Sequence, residues 1–124
     1  KVIPLFSIKI DIMRETAELR LLGSQGEVQL AEFVQELEQS VADGAIAVRS
    51  VLYDRSAARL MSSRNERWLA RIQELLLSSG GAKVAEVMGP GEPYAPALSA
   101  QWQRFEKVSD AQAWLLRRID DVAA

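Results

Sequence analysis

The chain has 124 residues, a formal net charge of −2, and neither cysteine nor histidine. This length is typical of a single domain, which we take to span residues 1–124. The absence of both residue types excludes disulfides, thiolate or histidine metal sites, and histidine-based catalytic triads. The small net charge predicts no general attraction to nucleic acid, and no apolar run reaches the ~18–20 residues of a membrane span. Since no signal-peptide pattern opens the chain, we expect a cytoplasmic protein.

The first third of the chain predicts a β-hairpin followed by a helix. Apolar and polar residues alternate over residues 2–13 and again over 17–22, which is typical of two half-exposed antiparallel strands. Residues 23–26, Gly-Ser-Gln-Gly, have the composition of a loop. Over residues 30–43 the apolar side chains recur every third or fourth position, which predicts an amphipathic helix that Gly44 ends.

The middle of the chain predicts a strand, a polar loop and a second helix. Residues 45–53 are almost continuously apolar, as in an interior strand of a sheet that helices cover, and this strand is expected to end at Asp54. A loop follows over residues 55–63. Ser63 begins a capping box that extends to Glu66, which predicts that the next helix begins there.

The sequence of the last third of the chain predicts two more strands and two more helices, in the order strand, helix, strand, helix. The segments are a strand over 82–88, a Gly-Pro loop over 89–93, a helix over 95–103, a strand over 105–108, and a final helix that Ser109 opens. The resulting order is β-β-α-β-α-β-α-β-α. It predicts an α/β fold in which a mixed sheet of about five strands is covered by about four helices.

Several local sequences in this order resemble the SpoIIAA-like branch of the STAS superfamily. They are Gly-Glu-Val-Gln-Leu before the first helix, Leu-Tyr-Asp at the end of the apolar strand, Ser-Ser before the second helix, Lys-Val-Ala-Glu-Val in the next strand, and Ser-Asp-Ala-Gln-Ala-Trp-Leu at the final helix. The resemblance implies a mixed sheet with helices packed on it. Proteins of related fold include anti-sigma-factor antagonists and the lipid-carrying CRAL-TRIO domains.

The resemblance also implies a candidate phosphorylation site. In the antagonists, a strand that ends in Asp is followed by an Asp-Ser-Ser-Gly motif, and a partner kinase phosphorylates its first serine at a helix N-terminus. The same spacing from Asp54 leads to Ser63, with Ser62 one position earlier, although Arg64 and Asn65 replace the small Gly-containing turn. Helix N-termini favour anions, and nearby cations could pair with a phosphate; these are Arg59, Arg64 and Arg67. The simpler alternative is that Ser63 only caps the helix.

Asp54, Arg55 and Ser56 form a second group of candidate binding residues. Ligands of open α/β sheets gather at the carboxyl ends of parallel strands, and these residues are expected at such an end, near the loop over residues 89–93. They could therefore form a small polar pocket for an anion or a partner. The alternative is structural, because an Asp at this position often accepts hydrogen bonds from the following backbone as an Asx turn.

Charge is unevenly distributed along the chain. Residues 27–43 contain five acidic residues and no basic one, whereas residues 49–71 contain six arginines against two acidic residues. Either this polarity marks a surface for a partner, or the two helices lie side by side and neutralise each other. Aromatic residues cluster near the C-terminus, where they form either core or the wall of a ligand cavity between the last two helices and the sheet; they are Tyr94, Trp102, Phe105 and Trp114.

These features favour a non-catalytic regulatory or interaction module of the SpoIIAA-like type. It would bind an unknown protein partner through residues 55–63 and the helix that follows. The alternative is a carrier of a small apolar or amphipathic ligand. An enzyme is the weakest hypothesis, because no recognised catalytic, metal-binding or cofactor-binding constellation is present. A homodimer is plausible through the first strand if that strand lies at an edge of the sheet.

Overall fold

A computed structural model of the chain describes residues 5–11, 13–44, 49–60, 66–78, 83–89 and 101–116. The elements in chain order are β1 (Phe6–Asp11), β2 (Thr16–Gln25), α1 (Glu27–Ala42), β3 (Ser50–Leu60), α2 (Glu66–Ser78), β4 (Lys83–Val87), β5 (Trp102–Phe105) and α3 (Val108–Leu116). The predicted α/β class is therefore confirmed. The described part of the chain contains three helices rather than the four expected.

The five strands form one mixed sheet in the order β1-β2-β3-β4-β5. The first two strands are antiparallel, as the predicted hairpin requires, and each later strand is parallel to its neighbour. This arrangement confirms that β3 is an interior strand. Because β2, β3 and β4 run in parallel, their carboxyl ends lie at one edge of the sheet and their amino ends at the other; we call these the carboxyl edge and the amino edge.

Helices cover both faces of the sheet. The larger core lies under α1 and α2, where side chains from β2 to β5 meet the apolar stripes of the two helices; its fully buried members include Leu19, Leu21, Leu30, Phe33, Leu37, Val51, Ile72 and Trp102. The smaller core lies under α3 and contains Leu52, Ala85, Val87 and Ala111. Among the described helices, none combines the length and apolarity needed to cross a membrane.

Two segments that the sequence predicts as loops are strands. Residues 23–25 continue β2, and residues 55–60 continue β3. The two extensions pair with each other in parallel, from Leu22 opposite Ala57 to Gln25 opposite Leu60. Each segment is polar and rich in small residues, so neither has a strong strand preference alone. Their mutual backbone pairing is what makes them strands.

The prediction for the C-terminal third is shifted along the chain. Gln103 was expected in a helix but lies in β5, which begins at Trp102 rather than Phe105. Val108 was expected in the strand but begins α3. The side chain of Trp102 is buried in the larger core, so tertiary burial determines this strand. Residues 45–48 of the predicted apolar strand and residues 90–100, which hold most of the predicted helix, lie outside the described residues.

Candidate functional site

The carboxyl half of β3 contains a β-bulge built on Asp54. Arg20 of β2 pairs with Asp54 and Leu22 pairs with Ala57, so two residues of β3 lie opposite one residue of β2. The Asp54 Oδ1 atom accepts hydrogen bonds from the backbone N–H of Ser56 at 2.9 Å and from its hydroxyl at 2.6 Å. The side chain of Asp54 is only 7% exposed. This geometry confirms the Asx alternative for Asp54, although in a strand rather than in a loop.

The bulge changes which residues of β3 face the larger core. Tyr53 and Arg55 point to the face that α2 covers, and beyond the bulge it is Ala58 that joins the same core. Without the extra residue, strict alternation would direct Ala58 to the opposite face. Arg55 is consequently buried, with 4% exposure. The prediction that it lies in a polar loop is wrong, because it belongs to β3.

Glu86 on β4 is the partner of Arg55 and the centre of a buried polar group. Its Oε2 atom accepts hydrogen bonds from Arg55 Nε at 3.0 Å and Nη2 at 2.6 Å. Its Oε1 atom accepts from Trp102 Nε1 at 3.0 Å and from Arg104 Nε at 2.9 Å. We call these four residues the Glu86 cluster. It joins the three strands β3, β4 and β5 beneath α2.

The charges of the Glu86 cluster keep its carboxylate ionised. Burial raises the pKa of Glu86, but the charge of Arg55 and the hydrogen bonds from Arg104, Arg55 and Trp102 together lower it more, so that the pKa lies below its ordinary value. The cluster contains two guanidinium groups and one carboxylate. Its members therefore carry one formal positive charge in excess.

A cavity of about 200 Å³ lies between this cluster and α2. The sheet contributes the Glu86 cluster and Tyr53, whose ring lies edge-on to that of Trp102 at a centroid distance of 6.4 Å. The helix contributes residues at the spacing of one helical face; these are Glu66, Leu69, Ala70 and Gln73. The cavity is thus lined by charged and aromatic side chains on the sheet side and by polar and apolar ones on the helix side.

Two of the other predicted cations, one at the end of β3 and one at the start of α2, lie on the surface. Arg59 is exposed near the end of β3. Arg67, in the first turn of α2, forms an ion pair with Glu27 at the start of α1, and Arg71 lies 3.4 Å from Glu38. These pairs confirm that the acidic and the basic helices lie side by side. Ser62, Ser63 and Arg64 lie outside the described residues.

The C-terminal aromatic residues do not line one common cavity. Trp102 lies in the larger core under α2, whereas the rings of Phe105 and Trp114 contact each other in a tilted arrangement, with centroids 5.8 Å apart, on the face that α3 covers. Tyr94 lies outside the described residues. The described residues therefore contradict a cavity formed by all four aromatics. The cavity lies beneath α2 instead.

Glu86 and Arg104 are site residues that the sequence reading did not identify. A weak signal was present, because Glu86 has the same strand parity as the buried Val84 in a short apolar strand. A charge at such a position requires a buried partner. The sequence alone did not reveal that partner, since Arg55 is 31 positions away.

Comparison with known proteins identifies the fold. No protein-family model matches the sequence, and no curated protein matches it significantly. Among solved structures, the anti-sigma factor antagonist SpoIIAA in its unphosphorylated form is similar, with a TM-score of 0.63 and 14% identity over 92% of this chain and 99% of that one.

Two further structures give the same result. An anti-sigma factor antagonist from Mycobacterium paratuberculosis has a TM-score of 0.57 and 17% identity, over 90% of this chain and 95% of that one. An uncharacterised DUF3478 protein with a SpoIIAA-like fold from Shewanella loihica has a TM-score of 0.53 and 18% identity, over 93% and 97%. At these identities the similarity is one of fold.

Proposed function

We propose that this chain, which has the SpoIIAA-like STAS fold, is a non-catalytic regulatory module that binds an anti-sigma factor. The observation that carries the proposal is the similarity to the antagonist SpoIIAA, which extends over 92% of this chain and 99% of that one. A match of this extent covers the whole architecture rather than a single βαβ unit. The proposed site of action is cytoplasmic, as expected from the sequence.

The proposed binding surface lies at the carboxyl edge of the sheet. Because β2 and β3 are parallel and each leads into a helix, α1 and α2 begin side by side there, linked by the ion pair between Glu27 and Arg67. Exposed residues cluster at this position, including a large apolar side chain, Val28, which is 65% exposed. We define the carboxyl-edge surface as Val28, Arg59, Glu66 and Arg67. An exposed apolar residue surrounded by charges suits a protein partner.

Our proposal gives a structural role to Asp54, Arg55 and Ser56. They support the carboxyl-edge surface and do not contact the partner. Asp54 and Ser56 fix the bulge in β3, and Arg55 is held by Glu86. These contacts fix the direction of the last part of β3, which contains Arg59. The candidate phosphoacceptors belong to the segment of the chain between Leu60 and Glu66.

We propose Ser63, or its neighbour Ser62, as the phosphorylation site that controls partner binding. A phosphate group adds about −1.5 to −2 charges at neutral pH. Arg59, Arg64 and Arg67 are close in sequence or lie at the same edge, so they supply positive charge that favours the phosphorylated form. Phosphorylation would change the charge of the proposed surface from basic towards acidic, and thereby its affinity for the partner.

Partner binding is tested with the anti-sigma factors of the source organism. We expect one of them to bind the purified chain in biolayer interferometry, and we expect Arg59→Glu to weaken binding about tenfold through charge reversal at the interface. The matched control is Arg14→Glu. Arg14 is also exposed but lies in the β1–β2 turn at the amino edge. Absence of any binding partner, or equal losses for both variants, would refute the proposed surface.

Phosphorylation is tested by incubating the chain with the same anti-sigma factors and ATP. Mass spectrometry is expected to locate phosphate on Ser63 or Ser62, and the double variant S62A/S63A is expected to abolish it. Ser109→Ala is the matched control, since Ser109 is an exposed serine in the first turn of α3. Phosphate found only at other positions would remove both serines from the proposal.

The proposal includes self-association through β1. This strand lies at one end of the sheet, so its outer backbone groups pair with no other strand of the described sheet. A second copy of the chain could add its own β1 there.

A further inference from the structure

We draw no further inference here: the strongest candidate, the cavity beneath α2, carries none, because the solvent-exposed Glu66 and Ala70 line its helix side and the charged side chains of its sheet side already bond to one another.

Discussion

Glu86 holds together the buried polar side chains near the carboxyl edge of the sheet. Its two carboxylate oxygens accept hydrogen bonds from side chains of both neighbouring strands, so it connects β3 to β5 across β4. Buried charges are stable only when they are paired and hydrogen-bonded. Removal of this one carboxylate would leave Arg55 and Arg104 close together without the charge between them.

We expect Glu86→Gln to lower the free energy of unfolding by about 3 kcal/mol at neutral pH, because breaking a buried pair leaves an uncompensated charge. Urea denaturation followed by circular dichroism measures this loss. Glu38→Gln makes the same chemical change in an exposed pair, and it should cost less than about 1 kcal/mol. Equal losses in the two variants would show that the Glu86 cluster contributes no more than a surface ion pair.

The pH dependence of stability gives a second prediction at Glu86. Its pKa is lower in the folded chain than its ordinary value of 4.5, which we take for the unfolded chain. The ionised carboxylate therefore adds stability that is complete above the unfolded-state pKa and is lost as the pH falls through the folded-state pKa. The difference in unfolding free energy between the wild type and Glu86→Gln should shrink as the pH falls below 4.5. Denaturation at a series of acidic pH values checks this, and a difference that does not change with pH would contradict it.

At the scale of elements, the bulge in β3 determines which side chains form the site. Asp54 supplies the acceptor that the bulged backbone of Ser56 needs. Without the Asp54 side chain, nothing in the local sequence favours the bulge, in which two residues of β3 lie opposite Leu21, over regular one-to-one pairing of the strands. Regular pairing would reverse the faces of the residues beyond the bulge, including Ala58.

We expect Asp54→Ala to lower the free energy of unfolding by about 2 kcal/mol, because it removes a charged acceptor of two hydrogen bonds from a nearly buried position. Hydrogen exchange of the Ser56 amide should also become faster. Asp11→Ala is the matched control. Asp11 makes the corresponding bond to the backbone N–H of Arg14 in an exposed turn, so its loss should cost within about 0.5 kcal/mol. Unchanged exchange at Ser56 would exclude the role given to Asp54.

The elements that sequence reasoning found are those whose signal is local. The stripe of Leu30, Phe33 and Leu37 on α1 and the alternation in β1 are readable within one element. The extensions of β2 and β3 are not, because each is stabilised by the other across the sheet. Gly23 illustrates this, since its φ of +68° is typical of a turn, yet it pairs with Ala58 within the sheet.

The candidate site was predicted only in part for the same reason. Arg55 was recognised as a residue at a strand end, and Asp54 as a possible Asx acceptor. The pairing of Arg55 with Glu86 required knowledge that β4 lies beside β3 in a register that brings the two side chains together. Single-sequence patterns carry no information on register between distant strands. The cavity, which needs three strands and a helix, was therefore beyond prediction.

At the scale of the whole molecule, the sheet has one strand suited to pairing with a second copy. Leu22 donates its backbone N–H to the carbonyl of Leu5, and antiparallel pairs alternate in their hydrogen bonding. It follows that the backbone groups of Phe6, Ile8 and Ile10 point away from β2. The side chains of the same three residues are only partly buried against the core. β1 therefore presents outward hydrogen-bonding groups beside half-exposed apolar side chains.

An antiparallel β1–β1 dimer centred on Ile8 satisfies both features. In this register Phe6 lies opposite Ile10 of the second copy, and Lys9 lies opposite Ser7, so no like charges meet.

Ile8→Pro removes the central outward N–H without removing a donor to β2, and we expect it to abolish self-association. Ile8→Ala keeps the N–H while it shortens the side chain, and it should retain measurable dimer. Sedimentation velocity over a wide range of protein concentrations measures both, with circular dichroism to verify folding. A wild type that sediments as a monomer throughout, or an Ile8→Pro variant that still dimerises, would rule out β1 as the contact between copies.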